Sequence, residues 1–272
     1  QVVSIRCIVA TPLLLAMVHF ESGIKSIFSR DFVPLIGRAF LLLLAYTTYY
    51  MAFPALPLAD AVALYSTVPL FAMALAVPLL GERIGWRRVT AVTIGFAGVI
   101  VMLRPGAGLF EPAALLSLFS AATYALSMVM ARRLGTETTA SVMAFYQNGV
   151  YLVGAMLIAG VLATAGFQEA KHPSIDFLVR AWVWPTLSDL LLIASCGVIA
   201  AVGMTLLTSA YRVAKASVVT SFEYTGMLWA PLWGFLFFGE VPYLTTLAGA
   251  GLIIAAGLFA LSSPSARESA PG

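Results

Sequence analysis

The sequence carries little charge. Of its 272 residues only 10% are Asp, Glu, Lys or Arg, whereas 61% are hydrophobic and the mean hydropathy is +0.97. Soluble globular domains are typically about 25% charged and about 45–50% apolar. A water-soluble core has no room for this much apolar surface, which excludes a soluble enzyme or a soluble binding domain. The solvent for most of these side chains is therefore lipid.

Cysteine and histidine are also scarce, with two residues of each. Cys7 and Cys196 both lie inside apolar runs, where a buried thiol is a better interpretation than a disulfide. His19 and His172 have no partner at metal-ligand spacing, and neither a CxxC pair nor a GxxxxGK[ST] phosphate loop is present. We therefore predict no metal site, no cofactor and no catalytic residues. A membrane enzyme would need convergent His, Asp or Lys groups, and the sequence supplies no such cluster.

Apolar runs long enough to cross a bilayer as helices, for which about 20 residues are needed, fill most of the chain. We predict nine spans, at about residues 2–20, 32–53, 58–80, 89–103, 112–130, 141–165, 188–209, 216–238 and 244–261. The connections are short except for residues 168–187, which we expect to lie at the membrane surface, anchored by Trp182 and Trp184.

The chain also contains an internal repeat. Residues 52–82 align without a gap on residues 210–240, at an offset of 158, and both segments run from a polar entry through an apolar helix to a Gly-Glu exit. With one further residue of slip, Gly98 in the next helix meets Gly257. An internal repeat fixes the architecture of a chain, so we predict two copies of one design.

The fold predicted from these spans is an all-α polytopic membrane protein with two five-helix repeats. The second repeat shows five spans and the first shows four, so we expect ten helices natively, nine of them visible here and the first one missing before Gln1. The predicted domains are a first repeat at residues 1–104, a second at 105–263 and a cytoplasmic tail at 264–272.

Basic residues are concentrated in alternate connections. The opposite connections carry only Arg104, Lys171 and Arg180, whereas the richer set holds Lys25, Arg30, Arg83, Arg87, Arg88, Arg132, Arg133, Arg212, Lys215 and, in the tail, Arg267. The positive-inside rule then places the C-terminus in the cytoplasm. An odd number of helices per repeat inverts the second repeat relative to the first. Inverted repeats are typical of secondary transporters, whose substrate site lies near the membrane midplane.

At these residues the chain resembles the drug/metabolite transporter superfamily, specifically its EamA-type ten-helix carriers. The features that carry the resemblance are the exits Gly81-Glu82-Arg83 and Gly239-Glu240, the helices IGFAGVIVML and LIIAAGLFAL, and the stretches ATYALSMVMARRL and SIRCIVATPLLL. The resemblance covers essentially the whole chain and implies a carrier. It is weak for substrate, because such carriers move amino acids, nucleotides, vitamins, S-adenosylmethionine or toxic cations. Within the family we favour the aromatic amino-acid exporters of the YddG kind.

One carboxylate, Glu223, lies in the middle of an apolar helix. Ionisable groups inside a membrane are costly and usually face a cavity or a partner. At the offset of 158, Glu223 corresponds to Tyr65 and Tyr224 to Ser66, so we expect Tyr65 and Glu223 in related positions across the core. The functional interpretation is binding of a substrate ammonium group or a proton. The alternative is a hydrogen bond that holds two helices together.

Aromatic residues supply the other candidate substrate contacts. Tyr46, Tyr49 and Tyr50 share a helix face with Phe53 by their i, i+3, i+4 spacing. Phenols deep in a membrane helix suit an aromatic or cationic solute, although they equally suit an interfacial aromatic belt. Tyr124 forms a further polar stripe together with Ser120 and Ser127, for which helix packing is the alternative role.

Six further polar residues have expected roles. Arg6 either snorkels to the surface or, as the family resemblance implies, contacts an acidic partner or a substrate carboxylate. Asp60, close to Pro57, is expected to cap the third span. Gln147 and Asn148, amides near a helix end, suit either capping or bonding between helices. Glu82 and Glu240, at the helix exits, are expected to be structural, with contacts between the repeats.

Together these features predict a secondary transporter in a bacterial inner membrane. The predicted cargo is a small amphipathic metabolite, preferably an aromatic amino acid that is exported by alternating access through a site between the repeats. Uptake of a larger metabolite such as S-adenosylmethionine is the alternative within transport, and a membrane scaffold without transport is the alternative from another class. The expected partners are the substrate and the lipid bilayer, with no nucleic acid and a monomeric state.

Overall fold

A computed structural model describes residues 1–28, 32–81, 85–103, 111–134, 138–164, 171–180, 182–213 and 225–261. The helices are α1 (Val2–Glu21), α2 (Phe32–Ala52), α3 (Leu58–Tyr65), α4 (Val68–Leu80), α5 (Trp86–Leu103), α6 (Ala113–Leu134), α7 (Ala140–Thr164), α8 (Pro173–Val179), α9 (Leu187–Val213), α10 (Gly226–Phe238) and α11 (Leu244–Leu261). A short 3₁₀ turn, Ile24–Ile27, follows α1.

The described helices fit a polytopic membrane protein. Six helical segments among the described ranges are long and apolar enough to span a bilayer, and three shorter ones are apolar too. Each of them lies on one of the nine predicted spans. The surface segment predicted at residues 168–187 contains the short helix α8, and Trp184 beyond it is 96% exposed.

The third predicted span is broken into α3 and α4. Tyr65 ends α3, and Thr67 precedes α4. Pro69 explains the break, because proline has no N–H to donate to the carbonyl of Tyr65 and its ring clashes with that carbonyl in a continuous helix. Broken helices are tolerated at membrane depth where they lie inside the protein or line a cavity, and Thr67 is fully buried.

The repeat is visible in the helix limits. Both α4 and α10 have 13 residues. They start directly after Thr67 and Thr225 and end directly before Gly81 and Gly239, whose φ angles are 67° and 66°. Glycine adopts this left-handed conformation without strain, which makes it a common helix terminator. The limits of α5 and α11 keep the same offset of 158, so the predicted one-residue slip is not seen there.

The described chain divides into two compact units. Unit 1 comprises residues 1–44 and 130–215, and unit 2 comprises residues 45–129 and 216–272. Each unit therefore contains segments from both predicted repeats.

In unit 1, α1 packs against α7, its counterpart in the second repeat. Near one end Glu21 accepts a hydrogen bond from the backbone N–H of Ser141 at 3.0 Å. Two to three turns away Asn148 donates to the carbonyl of Cys7 at 3.1 Å and to Thr11 at 3.0 Å. Between these contacts the residue number increases along α7 and decreases along α1. The two helices are therefore antiparallel, as inverted repeats require. The predicted role of Asn148 in bonding between helices is confirmed.

In unit 2, α5 packs closely against α11, again its counterpart. The glycines let the backbones approach: a Cβ on Gly98 would stand 2.8 Å from the Gly249 carbonyl oxygen, and one on Gly249 would stand 2.6 Å from the Gly98 carbonyl oxygen. Gly98 of α5 also faces Ile253 of α11. One turn later on α5, Met102 faces Gly249, which lies one turn earlier on α11. This order is that of antiparallel helices, joined through small residues as is common in membranes.

The start of α3 is capped by a residue 182 positions away. The backbone N–H of Leu58 donates to Oε2 of Glu240 at 2.7 Å. Gly234 leaves room for this carboxylate, since a Cβ there would be 3.0 Å from Oε2. The contact between repeats predicted for Glu240 is thus confirmed, whereas Glu82 lies outside the described residues.

The prediction that Asp60 caps this helix is wrong. The residue at the N-cap position is Pro57, and Asp60 lies inside the first turn. Pro57 has no N–H for a carboxylate in the first turn to accept. Instead, Oδ1 of Asp60 accepts a hydrogen bond from Thr246 of α11 at 2.6 Å.

Candidate substrate site

Five tyrosines from three helices of unit 2 form one aromatic group, here called the tyrosine cluster: Tyr46, Tyr49 and Tyr50 on α2, Tyr65 on α3 and Tyr124 on α6. Its centre is Tyr65, whose ring centroid lies 4.5 Å from that of Tyr49 and 5.6 Å from that of Tyr124. Tyr46 and Tyr124 meet edge to face at 6.1 Å. All five predicted aromatic residues in the described part of the chain are therefore brought together.

Local structure explains why the rings converge. The helical spacing of α2 places Tyr46 and Tyr49 on one face, and Phe53 continues that face with its ring centroid 4.7 Å from that of Tyr49. Tyr65 is the last residue of α3, directly before the break that Pro69 imposes. A residue at such a break projects from a helix end rather than from a continuous helix.

The cluster combines buried and accessible rings. Tyr124 is 4% exposed, whereas the other four tyrosines are half-buried. Each cluster tyrosine other than Tyr50 contacts a ring of another helix, which favours a cluster over an interfacial belt. Tyr50 joins the cluster through Tyr46 and Tyr49 of its own helix. Phenol rings offer π-faces that bind flat rings or cations, and hydroxyl groups that donate and accept hydrogen bonds.

Ser127 is placed differently from the tyrosines. Its side chain is fully buried, and its hydroxyl donates to the carbonyl of Tyr124 on the same helix at 2.8 Å. This local bond favours a role in helix structure over contact with a solute.

Arg6 belongs to unit 1. Its guanidinium carbon lies 5.8 Å from the centroid of the Tyr151 ring, in cation–π geometry. The Tyr151 hydroxyl in turn donates to the carbonyl of Leu42 at 3.1 Å. Arg6 is half-buried and has Tyr151 as a partner within the same unit. Glu223 and Tyr224, the remaining predicted contacts, lie outside the described residues.

Sequence reasoning missed Arg38, a buried charged residue of α2 that is only 4% exposed. Its position seven residues into an apolar helix was the available signal, because ionisable residues inside membrane segments are functional candidates by default.

Comparison with known proteins decides the family. The model of the EamA-like transporter family matches residues 1–104 and 111–262. The chain belongs to the EamA-like transporter family. It is therefore a carrier of the drug/metabolite transporter superfamily, as its motifs indicated.

Characterised relatives of this EamA-like protein carry different solutes. It is 27% identical over 235 residues to the S-adenosylmethionine uptake transporter of Rickettsia bellii, covering 86% of this chain and 74% of that protein. It is 30% identical to the riboflavin transporter of Rhizobium johnstonii, covering 86% of this chain and 72% of that protein. It is 29% identical to the pseudopaline exporter CntI of Pseudomonas aeruginosa, covering 94% and 84% respectively.

A solved crystal structure supports the fold independently. The superposition gives a TM-score of 0.62 at 19% sequence identity and covers 99% of this EamA-like chain and 89% of the solved chain. At this identity the likeness establishes the fold alone. The relatives' names include both uptake and export, so family membership establishes transport of a small molecule across a membrane without fixing cargo or direction.

Proposed function

We propose that this transporter carries a small amphipathic metabolite with a flat aromatic or heteroaromatic ring, and that the tyrosine cluster binds that ring. The observation that carries the proposal is the meeting of five phenols from three helices, with Tyr65 in contact with Tyr49 and Tyr124. Aromatic amino acids, which the sequence favours, fit this description. No covalent chemistry is part of the proposed function.

The broken helix beside the cluster supports the assignment. Substrate sites of secondary transporters with inverted repeats are typically formed by discontinuous helices near the midplane. Tyr65 is the last residue of α3, the first half of such a helix. Its ring contacts rings on α2 and α6. Glu223, which the repeat relates to Tyr65, is the proposed group for a substrate ammonium or a proton.

Two named cargoes of relatives favour a second candidate within the same class. The relatives named for S-adenosylmethionine and riboflavin indicate carriers in this family for ring-bearing metabolites larger than an amino acid. Uptake of such a metabolite through the same cluster is the alternative. The two candidates share ring recognition and differ in cargo size and direction.

The decisive experiment measures transport in proteoliposomes. Labelled phenylalanine, riboflavin and S-adenosylmethionine are supplied either outside or inside the vesicles, with threonine as a compound without a ring. Tyr65→Leu removes the central ring and is expected to raise KM for the transported compound by about 2- to 10-fold, the equivalent of one aromatic contact. Tyr65→Phe keeps the ring and is expected to remain within about 2-fold of wild type.

Phe235→Leu is the matched control, because it removes a ring that is 59% exposed on α10 of the same unit. Its KM should equal that of wild type. Equal transport of threonine and phenylalanine, with no effect of Tyr65→Leu on either, would contradict ring recognition. Loss of flux in Glu223→Gln with unchanged folding would support the proposed ammonium or proton site.

We further propose that the protein lies in a bacterial inner membrane with its C-terminus in the cytoplasm and works as a monomer. The orientation is supported by the concentration of Lys and Arg in alternate connections. Accessibility of a cysteine placed in the C-terminal tail to a membrane-impermeant reagent, in intact cells and in inverted vesicles, tests the orientation.

A further inference from the structure

We propose that Ser120 positions the rings of the tyrosine cluster by fixing α6 against α2. This inference rests on the proposed function only in so far as the cluster binds the substrate. Ser120 is fully buried, so it is a positioning residue and does not itself contact a solute.

The bond that carries the inference joins the two helices directly. Oγ of Ser120 donates to the carbonyl oxygen of Ala45 at 2.5 Å, across 75 positions of sequence. Ala45 is 1% exposed, so water does not compete for this oxygen. A short, directional hydrogen bond in a dry environment fixes the position of α6 along α2 at this point.

The bonded residues lie beside the two residues whose rings meet, Tyr46 and Tyr124. Ala45 immediately precedes Tyr46, and Ser120 lies one helical turn before Tyr124. The rings of Tyr46 and Tyr124 meet edge to face, with 86° between their planes. Because both rings leave the backbone beside the bonded groups, a shift of α6 along α2 would change this contact first.

The Ala45 carbonyl is also shared with a second hydroxyl. Thr48 donates to the same oxygen from the next turn of α2, at 3.0 Å. Hydroxyl bonds to helix carbonyls compete with the regular N–H partner, here that of Tyr49, and often bend helices. The backbone geometry of the turn that carries Tyr46 and Tyr49 therefore depends on which groups donate to the Ala45 carbonyl. Thr48 donates from the same helix, whereas Ser120 donates from α6.

Helix α6 supplies a matched control. Ser117 lies one turn before Ser120 and is equally fully buried, but its Oγ has no hydrogen-bond partner among the described residues. Ser117→Ala removes the same atom from the same helix without touching the Ala45 bond. Comparison of the two variants therefore distinguishes general destabilisation of α6 from loss of the bond that positions the rings.

The test combines a structural and a functional measurement on full-length protein. 3-Fluorotyrosine is placed at position 124 and its ¹⁹F resonance is recorded in detergent without substrate, in wild type, Ser120→Ala and Ser117→Ala. Tyr46→Leu gives the reference resonance for a Tyr124 ring without its neighbour. KM for the transported ring-bearing compound is then measured in proteoliposomes for the same variants without the fluorine label.

Ser120→Ala is expected to move the resonance toward the Tyr46→Leu value and to raise KM by about 2- to 10-fold, the equivalent of one hydrogen bond. Ser117→Ala should match wild type in both. An unchanged resonance in Ser120→Ala, or an equal change in Ser117→Ala, would overturn the positioning role. A moved resonance with unchanged KM would uphold the positioning of the rings and refute the cluster as the substrate site.

Discussion

Replacing Gly98 by alanine is expected to destabilise the protein, because the added methyl group has no room between α5 and α11. The new Cβ would stand 2.8 Å from the carbonyl oxygen of Gly249, 3.0 Å from Cβ of Leu252 and 3.2 Å from Cγ1 of Ile253. Even weak C–H···O contacts keep carbon and oxygen about 3.3–3.6 Å apart. The nearest two atoms belong to the backbone and to a Cβ, which cannot rotate away, so the helices must separate.

Two opposing effects set the magnitude. Overpacking a tight interface typically costs about 1–3 kcal/mol. Alanine recovers up to about 1 kcal/mol of that cost through its higher helix propensity. Because the nearest contacts are with atoms that cannot rotate away, the overpacking cost should fall in the upper half of its range, at about 2–3 kcal/mol. The expected net loss for Gly98→Ala is therefore about 1–2 kcal/mol. Gly249→Ala should lose at least as much, since its Cβ would stand 2.3 Å from Cγ of Met102 as well as 2.6 Å from the Gly98 oxygen.

The assay is thermal unfolding of the purified protein in detergent. Gly251→Ala on the partner helix α11 is the control, because a Cβ there meets nothing within 4 Å. It should leave the unfolding temperature unchanged or slightly raised. If Gly98→Ala unfolded at the wild-type temperature, or if Gly251→Ala lost as much, the close approach of α5 and α11 would not be what stabilises this pair.

Three other contacts give predictions of their own. Glu240→Ala removes the cap of α3, so amide hydrogen exchange at Leu58 should accelerate and stability should fall by about 0.5–2 kcal/mol; unchanged exchange would argue against the cap. Asn148→Leu removes two bonds to α1 and should cost about 1 kcal/mol in detergent unfolding, at about 0.6 kcal/mol per bond; a more stable variant would contradict this. Thr246→Val deprives Asp60 of a donor and should lower the unfolding temperature, whereas Thr246→Ser should retain it.

The sequence was informative wherever the cause is local. Apolar length predicted the spans, and the repeat offset of 158 reappears in the limits of α4 and α10. Gly81 and Gly239 end their helices because glycine adopts a positive φ without strain, a property that needs no tertiary partner. The break after Tyr65 has a local cause as well, because Pro69 cannot donate to the carbonyl of Tyr65.

Contacts over long sequence distances could not be predicted in the same way. Proximity in sequence predicts Asp60 as the cap of α3, but the cap comes from Glu240, because the packing of α3 against α10 brings the residue after the end of α10 to the start of α3. Nothing in the spacing of either residue encodes that approach.

The tyrosine cluster shows the same division. Helical periodicity by itself determined that Tyr46 and Tyr49 share a face of α2, since that follows from 3.6 residues per turn. Only the tertiary structure decided that this face meets Tyr65 and Tyr124, because the meeting depends on how α2, α3 and α6 pack and on the buried bond from Ser120. Sequence fixes what each helix presents along its length, whereas packing, a sum of many weak contacts between distant segments, decides which faces meet.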